Sequence, residues 1–343
     1  MQIRKLIYAA MVLLAAAALT PGFLGGQQPD GAERPALSAG QVAEGAAEGA
    51  DADDEAEDLS SFRIGVAVDM VSVPVTVRKS DGSFIKGLKQ KSFKVLEDGV
   101  PQEIVFFAQE GLPTHVAMVL DISGSVNHEW GSIKYAAKRF LEHLRPDDDF
   151  SLTTFNDEIR LRVNWGRNIA RVSPVLTSVY CKGNTKLWDA IWVVSTEVFK
   201  GRDGKKVIII MSDGLDNQSL VGYSDAVKAA VEAEVAIYVV SKTQALRDYI
   251  DPDRGIPPEI FARADAVLRR LAHDTGGRVL YPNNFGQLDE IYAEVDEELR
   301  NQYTLGYIST NAKKDGSYRE IDVGVAGKGV VVSARPGYYA PKK

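Results

Sequence analysis

From Val116 onward the chain alternates between two kinds of segment, and that alternation constrains the fold more than any other feature. Short apolar runs stand at Val116–Leu120, Phe150–Phe155, Val207–Met211, Val235–Val240 and Arg278–Tyr281. Between them lie stretches with apolar residues at helical spacing. Ile133, Ala136, Ala137, Phe140, Leu141 and Leu144 share one face, as do Leu187, Ala190, Ile191, Val194 and Val198. Weaker copies follow across Ala226–Val231, Phe261–Leu271 and Leu288–Leu299. An apolar strand without polar alternation must be covered on both faces. Such strands alternating with helices predict a doubly wound α/β fold on a mostly parallel sheet.

The flanks read differently. Over residues 61–112, Val71, Val73, Val75 and Val77 alternate with Ser72, Pro74 and Thr76, the period of a half-buried strand. Pro74 has no backbone donor and favours an edge position. Phe93–Glu97 and Ile104–Phe107 read as further strands, with turns at Asp81-Gly82 and Asp98-Gly99. Over residues 301–343 the period of two returns. Tyr303, Leu305 and Tyr307 alternate, then Ile321, Val323 and Val325, and Val330–Val332 follows a glycine turn. Each flank holds about three strands, too few to bury a core alone. The expectation is that both pair into one small β-sandwich, with residues 113–300 inserted between them. The alternative is two separate β flaps packed on the α/β unit.

Residues 1–24 read as an export signal. Arg4 and Lys5 precede an apolar run, Leu6–Leu19, and Pro21-Gly22 ends it. The run is shorter than the ~20 apolar residues that a bilayer span takes. It is read as cleaved, leaving no membrane span, with an uncleaved anchor as the other reading. The only cysteine, Cys181, excludes an internal disulfide and a lipid-modified cysteine after the signal. An exported chain without disulfides suits a periplasm, cell surface or extracellular space of bacterial type. Residues 25–60 turn acidic through Glu48, Asp51, Asp53, Asp54, Glu55, Glu57 and Asp58, with few bulky apolar side chains. That composition predicts a disordered, solvated linker, a calcium-binding tail being the competing reading. The net charge of −7 argues against a nucleic-acid partner.

The chemistry concentrates where the first α/β strand ends, in Val119-Leu120-Asp121-Ile122-Ser123-Gly124-Ser125. Ligands of doubly wound sheets bind beyond the carboxyl ends of strands. Asp121, Ser123 and Ser125, spaced by two on a turn eased by Gly124, can aim oxygen atoms at one point. A carboxylate with two hydroxyls suits Mg²⁺ and tolerates Mn²⁺ or Ca²⁺, whereas zinc prefers nitrogen and sulfur.

This Asp-x-Ser-x-Ser after an apolar strand resembles the metal-ion-dependent adhesion site of von Willebrand factor A domains. The resemblance extends to Gly183-Asn184-Thr185-Lys186-Leu187, which implies a ligand role for Thr185, and to Ile210-Met211-Ser212-Asp213-Gly214, which implies one for Asp213. Leu96–Ile104 ("LEDGVPQEI") and Pro336–Tyr339 ("PGYY") resemble flanks of acidobacterial proteins related to that family. The resemblance implies a protein-binding module rather than an enzyme. A partner's Asp or Glu carboxylate would complete the metal shell. It also implies that the last helix, Leu288–Leu299, relays binding to the C-terminal β segment. An accessory subunit with a dispensable metal site is the alternative.

Competing chemistries fit less well. Ser123 stands where a haloacid-dehalogenase-type site would need a second Asp. The sequence around Ser123, Asp121-Ile122-Ser123-Gly124-Ser125, does not keep the Gly-x-Ser-x-Gly elbow of serine hydrolases. His115, His128, His143 and His273 show no ligand spacing, although His128 sits near the metal loop. Asp189 either orients a bound water or is a helix N-terminal carboxylate favoured by the dipole. Asn156-Asp157 reads as a turn near the binding rim, and Gln244–Pro258 as a surface excursion that adds specificity.

Overall fold

The computed structural model describes residues 35–38, 70–109, 113–127, 129–241 and 258–342. The export signal, nearly all of the acidic segment, residues 61–69, His128 and the excursion up to residue 257 lie outside the described residues. The N-terminal flank forms β1 (Met70–Lys79), β2 (Phe93–Glu97), β3 (Val100–Gln102) and β4 (Ile104–Gln109). The α/β unit follows as β5 (Thr114–Asp121), α1 (Trp130–Glu142), β6 (Asp149–Phe155), β7 (Ile159–Gly166), α2 (Val172–Thr177) and α3 (Leu187–Val193). It continues as β8 (Lys205–Ser212), α4 (Tyr223–Glu232), β9 (Val235–Ser241), α5 (Pro258–Thr275), β10 (Val279–Leu280) and α6 (Leu288–Arg300). The C-terminal flank adds β11 (Tyr303–Ile308), β12 (Tyr318–Val325), β13 (Val330–Ala334) and β14 (Gly337–Tyr339).

The central sheet has the order β10-β9-β8-β5-β6-β7, parallel throughout except for β7 at one edge. The apolar runs are explained by two cores. On β5, Val116, Met118 and Leu120 pack with α1 and α6 on one face. Ala117 and Val119 pack with α3, α4 and α5 on the other. β8 and β9 divide their side chains in the same way. The run expected at Arg278–Tyr281 shrinks to Val279–Leu280, because Arg278 turns its guanidinium to Glu294 and Glu298. β7 was not expected. It closes the sheet as an antiparallel hairpin partner of β6, and Leu37 makes an isolated parallel bridge to its Ile159.

The flanks interleave into two four-stranded antiparallel sheets, β13-β1-β11-β4 and β14-β12-β2-β3. Each sheet takes strands from both ends of the chain, so the flap alternative fails. The valines of β1 are buried between the sheets, and the Phe93 ring of one sheet lies 5.0 Å from Tyr303 of the other. β1 is interior rather than an edge strand. Pro74 is tolerated because it pairs with Thr304 on one side while the ladder to β13 starts only at Val75. Asp98 and Gly99 both take positive φ, the geometry of a tight β2–β3 hairpin. At the sandwich centre the buried Glu97 accepts hydrogen bonds from Tyr307 and Tyr338, each at 2.9 Å, and from Ser309 at 2.5 Å. This joins the "LEDG" and "PGYY" segments in one network and pushes the Tyr307 hydroxyl well above its ordinary pKa by burial and the adjacent carboxylate.

α6 ties the two units together. Glu298, buried near its end, receives Arg78 of β1 at 2.8 Å, Arg278 at 2.5 Å and the Tyr238 hydroxyl at 3.3 Å. Lys205 Nζ donates to the Leu299 carbonyl at 2.5 Å and so caps the helix C-terminus.

Candidate metal centre

β5 lies at the middle of the sheet, where the strand order reverses, and Asp121 closes it at the carboxyl end. Asp121 is buried, and one of its carboxylate oxygens accepts the Ser123 amide at 2.8 Å. That local bond curls the chain back on itself. Ser123 is buried, Ser125 is exposed, and their hydroxyls lie 3.1 Å apart at the start of a short 3₁₀ turn.

A second loop brings Thr185. Its position is fixed by backbone bonds to the first loop, Lys182 N to Ile122 O at 2.9 Å and Gly124 N to Gly183 O at 3.1 Å. Gly183 takes φ +80°, and a Cβ there would meet a carboxylate oxygen of Asp157 at 1.9 Å, so only glycine fits. Asn156 and Asp157 thus do more than turn the chain. Asn156 Nδ2 donates to Lys182 O at 2.9 Å, and Asp157 accepts from the backbone and side-chain nitrogens of Asn184.

A third loop, after β8, carries Asp213. β8 is paired with β5 up to Leu120–Met211, so Asp213 emerges beside Asp121. Asp213 is buried and repeats the geometry of Asp121, accepting the amide two residues on, Leu215 N, at 3.0 Å. The loop is tied to the second by a reciprocal pair, Thr185 N to Asn217 Oδ1 at 2.9 Å and Asn217 N to Thr185 O at 3.1 Å. Asp216 adds a bond from Leu187 N at 2.7 Å. Burial raises the Asp216 carboxyl, while bonds from Ser219, Leu187 and Trp188 oppose the rise.

Sequence reasoning missed Asn217 and Asp216. Their only signal was a run of polar residues after Asp213. Asp189, read as a water-orienting group or a helix N-terminal carboxylate, does sit in the first turn of α3. Its main contacts are the amides of Leu220 and Val221, at 2.7 and 2.9 Å, so it staples the third loop to the helix. Burial raises its carboxyl. His143 is exposed and bonds the Arg139 carbonyl; His115 contacts Asp149 at the opposite end of the sheet.

The donor set of the three loops is oxygen alone, two carboxylates and three hydroxyls, which fits a hard cation. Among the described residues no group of three or more His, Cys, Asp and Glu could hold a metal ion.

Residues 115–294, more than half of the chain, match the family model of the von Willebrand factor type A domain. A mouse protein, inter-alpha-trypsin inhibitor heavy chain H2, is 27% identical over 188 residues, 47% of this chain. The chain spans only 20% of that protein's length. Among solved structures, an aerotolerance-related membrane protein from Bacteroides fragilis is similar at 14% identity and a TM-score of 0.42, over 54% of this chain and 98% of that one. Proximal thread matrix protein 1 of the mussel byssus, solved with a zinc-occupied MIDAS motif, is similar at 17% identity and a TM-score of 0.44, over 59% of this chain and 49% of that one.

Proposed function

The chain belongs to the von Willebrand factor type A domain family, whose domains are protein-interaction modules, and from that premise we propose that it binds a protein partner through a divalent cation. Asp121, Ser123, Ser125, Thr185 and Asp213 would hold the ion, with Mg²⁺ the best match and Mn²⁺ or Ca²⁺ tolerated. The observation that carries this reading is the stapling of three loops, by Gly124–Gly183 and by the reciprocal Thr185–Asn217 bonds. Those bonds gather oxygen donors from distant parts of the chain at the carboxyl ends of β5 and β8.

When bound, the ion would supply Lewis-acid attraction for an Asp or Glu carboxylate of a partner. The chain's own residues do the rest. Asp121 and Asp213 furnish the negative charge, each with one oxygen fixed by a backbone amide. Ser123, Ser125 and Thr185 add neutral oxygens. Two carboxylates match the charge of a divalent ion without exceeding it, which keeps an incoming carboxylate attractive. The role is binding, not catalysis.

The same reading places the module outside the cytoplasm, exported by residues 1–24. No helix of the described residues is long and apolar enough to cross a membrane. The test is capture of a partner from cell-envelope extract in Mg²⁺ and again in EDTA, with wild type and Asp121→Ala. Capture should require both Mg²⁺ and Asp121. Capture indifferent to both would favour an accessory subunit with an idle site.

A further inference from the structure

A cavity of 310 Å³ lies between the sandwich and the α/β unit, at the amino ends of β8 and β9 and therefore across the sheet from Asp121. We infer that this crevice binds a small amphipathic carboxylate, its charged head on the basic wall and a short hydrocarbon body on the apolar wall.

The apolar wall is the outer face of the sheet β13-β1-β11-β4. Residues 71, 73, 75 and 77 of β1 turn into the sandwich, so Met70 and Pro74 turn outward, beside Thr304 of β11 and Phe106 of β4. Met70 and Phe106 remain 43% and 36% exposed, an apolar surface among the described residues.

The opposite wall is basic. It carries the Lys206 ammonium and Arg335 against one carboxylate, Glu234, whereas Lys205, one residue back along β8, turns its ammonium to the other face, onto the end of α6. In a chain of net charge −7 this local excess of cations is unusual. Glu234 is already engaged by Arg335 at 3.0 Å. Arg335 is buried, donates also to Ser72 O at 2.7 Å, and keeps a buried Nε with no hydrogen-bond partner among the described residues. Lys206 forms no ion pair among the described residues and donates to the Arg202 carbonyl at 3.3 Å.

Burying cations without counter-charges is costly, and an anion in the crevice would offset that cost. Desolvation lowers Lys206; Glu234 and Asp203 oppose the shift and Arg335 adds to it. A bound carboxylate would favour the charged form of Lys206. A cavity of this size, at the joint of two units and with mixed walls, suits a small ligand.

Calorimetric titration of the full chain with sodium hexanoate tests the inference. Expected are a saturable site and about tenfold weaker binding of hexanol, which lacks the charge. Lys206→Met and, independently, Met70→Glu should each weaken hexanoate by about tenfold with the melting temperature preserved. Asp121→Ala should bind hexanoate as wild type does, which keeps this result separate from the metal reading. No saturable binding, hexanol as tight as hexanoate, inorganic phosphate displacing hexanoate at equal concentration, or unchanged affinity in both crevice variants would overturn it.

Discussion

Asp121, Ser123 and Ser125 are readable as candidates from a short motif at a strand end, and Thr185 and Asp213 only through the family resemblance. The residues that hold their loops are not readable in either way. Asn217 meets Thr185 across 32 positions and Asp157 meets Asn184 across 27, through bonds to backbone amides that leave no spacing pattern. Their role is measurable. Asn217→Ala keeps all five oxygen donors but leaves the buried Thr185 amide without its acceptor, a cost of about 1–3 kcal/mol. Mg²⁺ affinity is expected to fall by about tenfold or more in a calorimetric titration, because that cost is borne by the loop carrying Thr185. Unchanged affinity would mean that the Thr185 loop does not contribute to the site.

At the scale of elements, the helices and central strands follow from apolar periodicity, and the misreadings have local causes. β10 is short because Arg278 is diverted into the Glu298 network. β7 alternates Ile159, Leu161, Val163 and Trp165 with Arg160, Arg162 and Asn164, an edge strand's period of two that a reading for continuous apolar runs passes over. Lys205, the first residue of β8, gives the joint with α6 a pH dependence. Its unfolded pKa is near 10.5 and its folded pKa is lowered to about 7 by burial. Between those values the unfolded chain binds more protons, so stability should rise as pH climbs from about 7 toward 10 and be lowest below 7. Thermal melts across that range should show the rise, and Lys205→Met should flatten it. A wild-type melting temperature that falls over the same interval would contradict the assignment.

For the whole molecule, the period-two flanks implied a sandwich from both ends of the chain, and the strand order realises it more thoroughly than two packed halves. β1 sits between β11 and β13, so neither end can fold alone. A chain ending at Arg300 should lose both neighbours of β1, expose Val71–Val77 and melt well below the full chain, as read by circular dichroism and dye binding. An unchanged cooperative melt would contradict the interleaving. The same arrangement sets the oxygen-lined face at one end of the sheet and the sandwich at the other, with α6 tied to the sandwich through Glu298 and Arg78. The account stands or falls on the oxygen-lined face. Calorimetric titration of the purified chain with Mg²⁺ is predicted to show one site, lost in Asp121→Ala and in Asp213→Ala while far-UV circular dichroism stays unchanged. Mg²⁺ binding that survives both substitutions, or no binding by the wild-type chain, would contradict it.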